Sequence, residues 1–141
     1  MRGLKTLIRL HRWQLDETRR KLEDLECLRA GLDSQSHRLE AELRDEQHHA
    51  ARSLEGRYAY PGFAATVIAR RATLAQSMAD VETSIEKTHE ELSAALERLK
   101  TYEVAEEREQ ERSHAIAARR EQLHLDELGI EIHRRRPRGS I

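Results

Sequence analysis

The sequence predicts an all-α protein: two long helices folded into an antiparallel coiled-coil hairpin, the second helix overhanging the first. Three observations carry that expectation. Of 141 residues, 36% are charged and only 4% aromatic. Ala, Glu, Leu and Arg dominate, which is the composition of long helices and coiled coils rather than of a globular core or a disordered chain. Two long runs repeat apolar residues at heptad spacing. Helix-breaking residues are few and gather at one internal site.

The first element is a helix over about 3–56. Stepping alternately by four and three from Leu4 gives Leu4, Ile8, His11, Leu15, Thr18, Leu22, Leu25, Arg29, Leu32, Ser36, Leu39 and Leu43, of which eight are Leu or Ile. Gly31 lies alone in this run and costs about 1 kcal/mol relative to Ala, which a long helix tolerates. The bend follows, over about 57–62. Gly56, Pro61 and Gly62 are interleaved there with Tyr58, Tyr60 and Phe63, and Pro both removes a donor and clashes with the preceding turn. Helix two is expected over about 63–128. From Val67 its seam reads Val67, Arg71, Leu74, Met78, Val81, Ile85, Thr88, Leu92, Ala95, Leu99 and Tyr102, nine of eleven apolar. Gly129, Pro137 and Gly139 mark a basic tail over 129–141, completing a single coiled-coil domain. A narrow apolar seam is stable only when buried against another helix, and two seams flanking one break pair most economically with each other.

A bend near residue 59 or 60 makes the numbers of facing residues total about 119. That register sets Arg71 near Glu46 and Arg29 near Glu90 or Glu91. Each arginine either snorkels to solvent along its alkyl stem or pairs across the seam and sets its register.

Chemistry finds no purchase here. The eight histidines include no pair three or four apart, the spacing that puts two ligands on one helix face, so no metal or cofactor is expected. There is no Gly-rich phosphate loop and no nucleophile elbow. A two-helix rod cannot desolvate a carboxylate pair for acid–base work. The sequence therefore reads as a non-enzyme with no small-molecule substrate and no catalytic residue. Cys27, the lone cysteine, falls on the outer face and suits a reducing compartment. No apolar run reaches the ~18 residues of a membrane span, so a cytoplasmic protein is expected.

Charge distribution says more than the net charge of −1. Residues 1–21 carry +5 and residues 112–141 carry +3, against −4 over 22–60 and −5 over 61–111. The hairpin gathers +8 at its base and leaves −9 along its body. Such a base attracts an acidic partner protein or nucleic acid. The nucleic-acid alternative, a basic coiled-coil module binding through its charged end, lacks the uninterrupted basic run of a bZIP region. Apolar residues off the seam add to the picture: Leu10 and Trp13 on helix one, Leu123, Leu125, Leu128, Ile130 and Ile132 on the overhang; Trp13 either anchors another protein or is buried by local drift of the seam. Tyr58, Tyr60 and Phe63 either pack the hairpin tip or dock a partner.

Four segments, Leu4-Lys5-Thr6-Leu7-Ile8-Arg9-Leu10, Tyr58-Ala59-Tyr60-Pro61-Gly62-Phe63, Lys100-Thr101-Tyr102-Glu103 and Leu125-Asp126-Glu127-Leu128-Gly129, resemble in order and spacing the FliJ family of flagellar export proteins. Within the family, the chain resembles the alphaproteobacterial branch. The resemblance spans essentially the whole chain. It implies a non-enzymatic stalk and adaptor of the flagellar type III export apparatus, located at the flagellar base and meeting the membrane only through the export gate. It also implies three partners: the hexameric export ATPase, the cytoplasmic domain of the export gate and export chaperones. Residues matching the gate-contact region are Phe63 and Val67, with Tyr60 beside them, whereas Arg70 and Leu74 depart from the family pattern. Charge and position off the seam, together with the stalk role the resemblance implies, nominate Arg9, Arg12, Trp13, Arg20, Arg119, Arg120 and Leu123 for the ATPase side.

Overall fold

The computed structural model describes residues 2–136. They form two helices that pack against each other as a hairpin, with no strand among the described residues: α1, Arg2–Arg52, and α2, Leu54–Arg135. The chain divides into two compact units, one formed by residues up to His11 together with those from Glu97 onward, the other by Arg12–Leu96.

Both seams are covered, fully or in part, as their periodicity requires. Of the twelve α1 positions only Arg29 is exposed, and of the eleven α2 positions only Arg71. A guanidinium cannot leave water without a partner, so these two side chains turn outward while their neighbours stay inside. Leu15, Leu39, Val67, Val81 and Ile85 form the core of the Arg12–Leu96 unit, and Ile8 and Leu99 are buried in the other. Thr88, the most enclosed polar side chain, donates its hydroxyl to the Ser84 carbonyl at 2.7 Å, so no buried donor goes unmet there.

The chain reverses at Ser53, not over 57–62. Ser53 closes one helix and starts the next. Its N–H donates to the His49 carbonyl at 3.1 Å and its carbonyl accepts from the Arg57 N–H at 3.2 Å. Its hydroxyl accepts from the Gly56 N–H at 3.0 Å, an N-cap on the third residue of α2. The Arg57 guanidinium donates to the Ala50 carbonyl at 3.3 Å, satisfying an orphan acceptor at the end of α1. Gly56 is buried, and a Cβ there would lie 2.7 Å from the His49 carbonyl oxygen. Only glycine lets the two backbones approach this closely.

Pro61, expected to break the helix, lies inside α2. Its ring costs one backbone bond, to the carbonyl of the exposed Arg57, where solvent can take over the donor's part. The capped turn before it holds the helix through that loss. Gly129 does not end α2 either, because one glycine costs only about 1 kcal/mol. The helix runs on to Arg135, where His133, Arg134 and Arg135 complement the negative end of the helix dipole.

Moving the reversal to Ser53 shifts the register. Glu40 faces Arg71, Lys21 faces Glu91 and His11 faces Tyr102, pairs whose numbers total 111, 112 and 113 instead of about 119. Arg71 thus pairs with Glu40, not with Glu46. Its Nε and Nη2 each donate to a Glu40 carboxylate oxygen at 2.6 Å, a bidentate fork. Lys21, not Arg29, is the cation that meets Glu91, at 3.4 Å. His11 and Tyr102 stack within the seam, ring centroids 4.7 Å apart.

Candidate partner-binding site

On α1, Arg9 is exposed in the unit formed with the end of α2, whereas Arg12, Trp13 and Arg20 are exposed in the Arg12–Leu96 unit. Trp13 is 61% exposed, an aromatic ring held in water. Carboxylates of the same helix temper the charge beside it. Arg20 meets Glu17 at 3.2 Å and Arg19 meets Asp16 at 3.9 Å, both one turn apart. Exposed pairs of this kind contribute little stability and leave the arginines available to a partner.

On α2, Arg119, Arg120 and Leu123 lie within a stretch, Gln110–Arg136, in which every described residue is exposed. Leu123 is 58% exposed, and Ile116, Leu125, Leu128, Ile130 and Ile132 share its condition. The spacing of the seam foretold this, since α1 is too short to cover the end of a helix of 82 residues.

The charge contrast is weaker than the segment totals promise. Divided by compact unit, the sequence charges are +3 for residues 1–11 with 97–141 and −4 for residues 12–96. The acidic run Glu103, Glu106, Glu107, Glu109 and Glu111 shares a unit with the basic start of α1 and offsets it. Arg12, Arg19, Arg20 and Lys21 fall in the other unit.

Near the turn, the residues matched to the gate region divide by exposure. Tyr60 and Phe63 are half-buried, and the Tyr60 hydroxyl accepts a hydrogen bond from Gln47 Nε2 at 3.1 Å. Val67 is 2% exposed, so in the closed hairpin it packs the seam and offers no atoms to a partner. Tyr58 is the reverse case, 92% exposed. Here the aromatic cluster is both tip packing and free surface, residue by residue.

Sequence reasoning missed a groove of about 490 Å³ where the helices meet beyond Val67. Leu39 and Leu74 line it, small Thr66 and Ala69 open it, and Arg38 and Arg70 stand among its lining residues. The small residues off the α2 seam were the available signal. Arg71 and Glu40, on a neighbouring hollow, carry the clearest electrostatic perturbation. The hydrogen bond from Arg71 holds the Glu40 carboxyl below its ordinary 4.5, and Glu40 in turn raises the guanidinium. This pair is a clamp between helices. Both side chains stay nearly half exposed, short of the burial that acid–base catalysis needs.

Among the described residues no cluster of three His, Cys, Asp or Glu could hold a metal ion, and no helix is long and apolar enough to cross a membrane. Cys27 is free and exposed. No curated protein and no solved structure matches the chain. The family described as flagellar FliJ protein matches residues 1–138. Two seams closed into a hairpin, exposed basic and apolar faces and this nearly full-length match converge: the chain belongs to the FliJ family, whose members serve flagellar protein export without catalysing a reaction.

Proposed function

We propose that the protein is a stalk and adaptor of the flagellar type III export apparatus, acting at the cytoplasmic side of the flagellar base. It engages the hexameric export ATPase through Arg9, Arg12, Trp13, Arg20, Arg119, Arg120 and Leu123, the export gate through Tyr60 and Phe63, and export chaperones along its outer faces. The observation that carries this reading is the bare end of α2, exposed from Gln110 to Arg135 and studded with apolar side chains. A slender charged helix with no hairpin partner suits entry into a ring better than it suits catalysis or storage of a ligand. Val67 supports the gate surface from beneath by holding the helices together.

Binding kinetics with the purified export ATPase test the proposal. Rim charges set association and its salt dependence, whereas buried apolar anchors set dissociation. Reversing Arg9, Arg12 and Arg20 to Glu slows association and flattens its dependence on ionic strength, while Trp13→Ala and Leu123→Ser speed dissociation. Unchanged binding in all of these variants, with helicity intact, rejects these surfaces. Loss of duplex-DNA binding in the charge-reversed variant, with ATPase binding untouched, would favour a nucleic-acid module. For the gate, Phe63→Ala weakens binding of the cytoplasmic domain while the circular dichroism signal holds. A collapse in melting temperature would instead identify Phe63 as tip packing.

A further inference from the structure

The free stretch of α2 has two apolar faces. At about 100° per residue, Ile116, Leu123 and Ile130 fall on one side of the helix and Leu125, Leu128 and Ile132 on the opposite side. The first side carries Leu123, flanked by Arg119 and Arg120. The second side bears none of the residues assigned to the ATPase. All three of its large side chains are exposed. A helix outside tertiary packing is marginal in water, and its apolar side chains gain by covering one another.

We propose that the Leu125–Leu128–Ile132 face pairs, antiparallel, with the same face of a second copy of this chain. The charges along the stripe choose both the occupant and the direction. The stripe begins at Ala118 and Glu121 and ends at Arg135, the last residue of α2, whereas Arg134 falls on the opposite side, so the stripe is acidic at one end and basic at the other. Running two copies in opposite directions sets Leu125 against Leu128 of the second copy and Leu128 against Leu125, while Ile132 lies against Glu121 at either end of this leucine centre. Arg135 then lies over the small Ala118 of the second copy, one turn from its Glu121. Arg135 already meets Glu131 of its own helix at 2.9 Å, and the second Glu121 joins that pair. The two-fold axis makes each of these contacts twice, as in any isologous interface. A parallel pair would stack Glu121 on Glu121 and Arg135 on Arg135, like charges on a shared seam. This face lies opposite the one that carries Leu123, so pairing and ATPase contact use different side chains of the stretch.

Sedimentation equilibrium on the full-length protein tests it. The wild type shows a monomer–dimer equilibrium, and Leu128→Glu weakens it more than about tenfold, because a carboxylate enters the centre of the seam twice. Leu128 is exposed in the hairpin, so helicity should hold. Glu121→Arg and Arg135→Glu each weaken the dimer, and the double variant restores it. Direction is read from spin labels on Ser113→Cys in a Cys27→Ser background, where antiparallel pairing separates the two labels by about 40 Å. A protein monomeric to about 1 mM overturns the proposal. So do a dimer indifferent to Leu128→Glu, a charge swap that fails to restore pairing, and labels closer than about 20 Å, which mean parallel helices.

Discussion

At Ser53 the chain reverses on one residue, whereas α2 runs from Gln110 to Arg135 without a buried side chain. Both regions contain a glycine, and the two glycines mean different things. A side chain on Gly56 would strike the His49 backbone at 2.7 Å, while nothing lies within 4 Å of the place a side chain would take on Gly129. The first is an irreplaceable part of a turn, the second a weak point in a free helix. Likewise Leu39 in the packed hairpin is buried and Leu123 in the free stretch is exposed, although both are leucines in helices of similar composition. Residue type sets the capacity of a position. The presence of a second helix decides whether that capacity is used for stability or kept for a partner.

Substitutions on either side of this divide should separate widely. The largest effect belongs to the packed seam: Ile85→Ala, at a buried position, should cost about 2–4 kcal/mol in urea denaturation. A cost below about 0.5 kcal/mol would mean that the seam closes only when partners are present. Gly56→Ala should follow at about 1–3 kcal/mol, because the atom in its way is backbone and cannot swing aside. Calorimetry on that variant should find a lowered melting temperature, whereas Gly129→Ala, with open space around it, should raise helicity by a small amount.

The Glu40–Arg71 clamp should show a smaller effect, visible through pH. Glu40 has a folded-state pKa depressed below 4.5. Its contribution is therefore complete above that value and is lost as pH falls through the lower, folded-state value. Melting temperatures of wild type and Glu40→Gln, compared from neutral pH down into this acidic window, should converge at the acid end. A gap that persists undiminished there would detach the clamp from stability. Smallest of all is Leu123→Ser on the free stretch, expected within about 0.5 kcal/mol of wild type. If it unfolds the protein instead, the stretch is packed in solution and the comparison fails.

The seams were legible because a heptad repeat encodes burial one residue at a time. Leu4 through Leu43 and Val67 through Tyr102 needed no partner to be recognised, and even the two exceptions, Arg29 and Arg71, announced themselves by type. The exposed Leu123 was legible for the same reason, lying past the reach of α1, whereas Trp13 lies off the seam at a position that a local drift of the seam could equally have buried. Illegible features were those that arise between segments. Pro61 drew attention as the strongest local breaker, yet its cost is one exposed hydrogen bond. Ser53, an ordinary residue in sequence, supplies the cap. The groove beside Leu39 and Leu74 exists only once two helices leave space between them.

Helix, seam and overhang thus follow from period and length, since a 3.5-residue repeat admits no other economical burial. Register does not follow from them. Sliding one helix by a heptad keeps apolar residues opposite apolar residues, so the repeat alone leaves several pairings nearly equal in energy. The features that do not repeat choose among them: Gly56 against His49, the Glu40–Arg71 fork, and His11 stacked on Tyr102. Each needs two distant residues to meet at one place, and such a coincidence becomes visible only when the chain has folded.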